Sequence, residues 1–108
     1  MAKVTYNIRC KKDGNVVVEK LSGYTFKVDN LRFGVSNERP NGSKREVWSV
    51  TELSSGYECL IGDTKKTAIN KVLDRTLLDK IHKYLDDAKL EDVNKDTSVS
   101  VIYRTKAG

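Results

Sequence analysis

His82 is the only histidine in the sequence, and Cys10 and Cys59 are its only cysteines. General acid–base or nucleophilic chemistry would draw on these three first. His82 lies between Ile81 and Lys83, and no motif places a serine, cysteine or aspartate beside it. It reads as a boundary histidine on an amphipathic helix. The cysteines are too far apart for a metal knuckle. Each has apolar neighbours two residues away, which suits a small hydrophobe kept reduced. The adjacent carboxylates Asp86-Asp87 and Glu91-Asp92 would point in different directions from a helix. No loop has EF-hand spacing, and glycines occur singly, so there is no phosphate-cradling loop. The chain is read as a non-enzyme with no catalytic residue, no metal and no cofactor.

Binding chemistry is better represented. "GDTKKTA", Gly62 to Ala68, sits where a strand pattern stops and a helix pattern starts. Lys65 and Lys66 fall in the first helical turn, beside N–H groups that already carry partial positive charge. Those N–H groups, Thr64 and the two lysines together suit an anion, either a phosphate or a partner's carboxylate. The plain alternative is a solvated helix end capped by Asp63 or Thr64. A second basic group, Arg39, Lys44 and Arg45, lies in the loop from Ser36 to Glu46. Glu38 and Glu46 flank it, while Pro40 and Asn41-Gly42 supply its turn. The candidate binding residues are therefore Arg39, Lys44, Arg45, Thr64, Lys65 and Lys66.

These residues need elements to position them. "KVTYNIRC" alternates apolar and polar residues as a half-buried strand does. Asp13-Gly14 then signals a type I′ hairpin, and Asn15 to Leu21 is its partner strand. Gly23 breaks that strand, and "YTFKV" resumes the alternation. A turn at Asp29-Asn30 leads to "LRFGV", and "VWSVTEL" and "YECLI" follow the long loop. From Thr64 to Ala88 apolar residues recur at three- and four-residue steps, the mark of an amphipathic helix. "TLLD" offers a break, with Thr76 as N-cap and Asp79 completing a capping box. After the polar turn "LEDVNKD", the stretch "SVSVIYRT" is a final strand closing the sheet. The expected fold is one α+β domain over residues 1–108. It has an antiparallel meander of about six to seven short strands, with one helical layer at 64–88 on one face. The other face must be solvated, curled into a partial barrel, or buried against a partner.

The 108 residues suffice for one core. The net charge of +5 favours anionic partners, but it is spread evenly: +3 up to Gly62 and +2 beyond. No apolar run approaches a membrane span, and "MAKVTYNIRCKK" lacks a signal-peptide core. The expected location is the cytoplasm, with no membrane partner.

The stretch Val47 to Asp74 resembles a pattern in small proteins of bacteriophages and mobile elements. Trp48, Val50, Thr51, Glu52, Gly56, Thr64, Lys65, Lys66, Ala68 and Ile69 carry the resemblance. It is also similar to the three-strand-plus-helix DNA-binding domain of phage integrases, although Glu46, Glu52 and Glu58 stand where that family presents arginines. The phage-protein resemblance implies stoichiometric binding to a macromolecular target, foremost a protein, including inhibition of a host nucleic-acid-targeting defence system. The alternative is direct nucleic-acid binding through the basic loop and the lysine-bearing helix start. A homo-oligomer is compatible with either.

Overall fold

A computed structural model describes residues 3–39, 45–99 and 101–105. Its elements follow the order β1 (Val4–Lys12), β2 (Asn15–Val28), β3 (Leu31–Glu38), β4 (Val47–Glu52), β5 (Glu58–Gly62), α1 (Lys65–Val72), α2 (Arg75–Ala88) and β6 (Ile102–Tyr103). The fold is α+β. Strands β1 to β5 are antiparallel neighbours in chain order, the meander that short turns dictate. Asp13 and Gly14 join β1 to β2 with φ of 51° and 81°, the left-handed pair that an Asp-Gly hairpin requires.

The break expected at Gly23 does not occur, and β2 runs unbroken for 14 residues. Gly23 serves a different purpose. A Cβ there would lie 2.3 Å from the Val35 carbonyl oxygen and 3.0 Å from the Tyr6 hydroxyl, so glycine permits a close backbone approach inside a strand. At this point β2 changes partners. Asn15 to Gly23 pair with β1, and Tyr24 to Val28 pair with β3.

That change of partner decides what covers the sheet. One face carries Phe26, Val28, Phe33, Val35 and Val50, and these pack against Ala68, Ile69, Val72, Leu78 and Ile81 of the helical layer. Phe26 stacks on Phe33 with ring centroids 5.4 Å apart and meets the edge of Tyr103 at 5.5 Å. The opposite face presents the small or polar residues Gly34, Ser36, Ser49 and Thr51, all buried. Tyr6 of β1 lies across it, so close that a Cβ on Gly34 would meet the ring at 2.5 Å. The sheet therefore curls, and the β1–β2 hairpin covers the face that the helices leave. Of the three expected fates, this is the partial barrel.

Asn94 fastens the curl. Its side chain accepts from the Asn7 N–H at 2.7 Å and donates to the carbonyls of Asn7 and Leu53 at 2.8 and 2.7 Å. The amide thus acts as a one-residue strand beside β1, and Arg9 N–H continues the line to the Gly56 carbonyl at 2.7 Å. Arg32 pairs with Asp92 and donates to the Asn94 carbonyl, which holds this loop in place.

Two boundaries differ from expectation. The helical layer is two helices, but the second begins at Arg75 with Asp74 as N-cap, its carboxylate accepting from Thr76 N–H at 2.8 Å. Thr76 is inside the helix, because the aspartate two residues earlier already reaches the first-turn N–H. The closing strand shrinks to Ile102–Tyr103 and runs parallel to β2. It lies on the edge of β2 that β1 fills as far as Gly23, so only the last residues of β2 remain for it.

Candidate functional site

Of the residues singled out by sequence, Arg39 and Arg45 stand in ion pairs, Lys65 in a ring contact and Thr64 in a helix cap. Thr64 is the N-cap of α1: its hydroxyl oxygen accepts from Thr67 N–H at 3.0 Å, and the hydroxyl donates to Thr67 Oγ1 at 2.8 Å. Lys65 places its ammonium 3.7 Å from the centre of the Tyr24 ring. The negative face of the ring offsets the unfavourable helix-end potential. Lys66 is exposed beside it. Arg45 lies 3.7 Å from Asp63, which ties the end of the long loop to the helix start, so Arg45 and Thr64 to Lys66 share one region. Arg39 follows the end of β3, 3.6 Å from Glu46, the residue after Arg45. Lys44 and the Pro40-Asn41-Gly42 turn lie outside the described residues.

Groups with chemical potential are placed as follows. His82 is half-buried on α2. Cys10 and Cys59 are not bonded to each other. Burial, with a smaller push from Glu52, drives the Cys59 thiol up to about 12, so it stays protonated and unreactive at neutral pH. Glu52 is no outward charge. Its buried carboxylate accepts from Ser54 and Ser55 N–H, both at 2.9 Å, and so closes the β4–β5 turn. Among the described residues, no three His, Cys, Asp or Glu side chains are grouped so as to hold a metal.

A different feature emerges along α2, one that the basic-residue reading missed. Leu77, Ile81, Tyr84 and Leu85 repeat at helical spacing, and they face Tyr57 and Cys59 across a groove of about 410 Å³. Leu77 also lines an adjoining cleft of about 560 Å³ with Leu60 and Leu73. The two hollows, which share Leu77, lie side by side between α2 and the edge of the sheet. Tyr84, which lines the groove, is 48% exposed. Glu58 and Lys80 stand in the groove lining with opposite charges.

The hollows lie beside an edge strand. Among the described residues β5 pairs only with β4, and the Ile61 carbonyl accepts from Lys71 Nζ at 3.1 Å. A long, mobile ammonium on an edge carbonyl protects the edge while leaving it displaceable. The sequence signal was there: the apolar run 77, 81, 84, 85 is wider than one sheet face can bury. Its exposed half could be recognised only once α2 was seen to lie at the sheet's edge.

Among the described residues no helix is long and apolar enough to cross a membrane. Comparison with family models, curated proteins and solved structures found no match.

Proposed function

We propose that this protein is a non-enzymatic binding module that captures a protein target stoichiometrically, through the hollows between α2 and β5. The observation that carries this reading is a strand edge that, among the described residues, no further strand covers, with the apolar hollows of α2 alongside it. An extended segment of a partner can add to β5 through its main chain and seat alternate side chains in the hollows, which is β-strand addition. Tyr84, amphipathic and half-exposed at the rim, is the anchor. Lys71 leaves the Ile61 carbonyl when the partner's N–H arrives. The resemblance of Val47 to Asp74 to phage and mobile-element proteins supports a narrower reading, in which the target belongs to a host nucleic-acid-targeting defence system.

Co-purification from cells expressing tagged protein tests this. A partner recovered at a fixed ratio with the parent is expected to be lost with Tyr84→Glu and retained with Lys65→Glu/Lys66→Glu. Equal recovery with both variants would contradict the reading. Light scattering of the purified protein identifies the case in which the partner is a second copy.

A further inference from the structure

We infer that the β1–β2 hairpin is a duplex-DNA contact, a two-stranded ribbon whose outward face enters the major groove. This surface is separate from the α2–β5 hollows and stands without the protein-binding reading. Between Val4 and Gly23 the hairpin holds four basic and two acidic residues, a net +2. The pleat then sorts those charges. Directly opposed residues share a face, and the register opposes Lys11 to Val16, Arg9 to Val18 and Asn7 to Lys20. Lys11 and Lys20 thus lie on the outward face with Arg9. Glu19 is on the other face, opposite Ile8, ion-paired with Lys12 and lining the hollow under the hairpin. The remaining acid, Asp13, is in the turn.

Between the lysines lie Val16 and Val18, 49% and 53% exposed. Both valines sit in paired strand, where β-branched residues are favoured, and both leave about half their surface in water. They suit the floor of a major groove, where apolar groups meet thymine methyls while lysines reach the phosphates on either side. Arg9 is braced by the Ser55 and Glu91 carbonyls at 2.8 and 3.2 Å, so its charge is fixed in place. At the base of the hairpin Glu91, Asp92 and Asp96, together with Lys95, line a hollow with Thr5 and Asn7, and Asp92 is paired with Arg32. Lys20, opposite Asn7, marks the inner limit of the basic face, and Lys11 stands beyond it toward the turn.

The ligand class follows from shape as well as charge. The B-form major groove admits a two-stranded β-ribbon, whereas the A-form groove of duplex RNA is too deep and narrow. Fluorescence anisotropy of a labelled DNA duplex and of an RNA duplex of matching sequence, titrated with the full chain, tests the assignment. With about two phosphates neutralised, DNA affinity is expected to fall roughly tenfold between about 50 and about 200 mM salt. Lys11→Glu/Lys20→Glu is expected to abolish binding, Val16→Ser/Val18→Ser to weaken it with the salt slope kept, and Lys65→Glu/Lys66→Glu to leave it unchanged. All six positions are surface sites, and circular dichroism with thermal melts confirms that each variant folds. Should the charge-reversed hairpin lose its fold, Lys11→Ala/Lys20→Ala replaces it with the same expectation of lost affinity. The inference is overturned by absence of DNA binding at the lower salt, by equal affinity for the RNA duplex, or by loss that follows Lys65 and Lys66 instead.

Discussion

Tyr6 and Asn94 show how single residues hold the curled sheet. The Tyr6 hydroxyl is buried, and burial, the largest influence, pushes it up to about 12, with Ser36 countering part of that rise. Neither the Tyr6 nor the Ser36 hydroxyl has a partner of full hydrogen-bond geometry. The ring is therefore kept for its shape over Gly34, while its oxygen costs desolvation. Tyr6→Phe is expected to leave stability unchanged or raise it by about 1 kcal/mol in denaturant titration; a loss of that size would mean the hydroxyl is bonded. The sign with pH follows. In the unfolded chain Tyr6 and Cys59 ionise at their ordinary values, near 10 and 9, and in the folded protein both are raised to about 12. The unfolded state therefore sheds protons first. Stability is full below about pH 9 and falls as pH rises toward 12. Tyr6→Phe should flatten the upper part of that fall. Asn94→Ala acts oppositely, since it strands the N–H of Asn7 and the carbonyls of Asn7 and Leu53. A loss of about 2–3 kcal/mol is expected, and a loss under about 0.5 kcal/mol, within the ordinary range for surface substitutions, would show that water replaces the amide.

At the scale of elements, caps decide where the helices begin. Asp74→Ala is expected to cost about 1 kcal/mol by thermal or denaturant unfolding, and Thr76→Ala markedly less; the reverse order would return the cap to Thr76. The hairpins and the apolar stripe of the helices were legible from period and turn chemistry, because Asp13-Gly14 and the 3.6-residue repeat are local signals. Gly23 was misread because the same residue marks a strand break or a close approach, and only the tertiary position of Tyr6 and Val35 separates them. Asn94 was illegible for a similar reason: in a polar turn, nothing local distinguishes an amide that bonds to β1 from one that bonds to water. The candidate site fared likewise. Thr64 was recognised as a possible cap, but Lys65 resting on Tyr24 and the hollows beside β5 are products of packing between distant segments.

For the molecule as a whole, the curl assigns the surfaces. The hairpin covers the sheet face opposite the helices, so a partner has no bare sheet face to bury. The β5 edge with its apolar hollows and the outward face of the hairpin stay open, the first proposed for a protein and the second for DNA. A module with two such surfaces could hold a nucleic-acid-handling protein at its own substrate, which connects the proposed target class to the hairpin's charge. The most direct test of the central claim is site-specific photocrosslinking in cells, with a benzophenone amino acid placed at Tyr84 or, for comparison, at Lys66. A discrete crosslinked protein species from position 84 and none from position 66 is the result this account requires. Crosslinking from 66 alone, or equally from both, would move the interface to the lysine-bearing helix start and contradict the α2–β5 site.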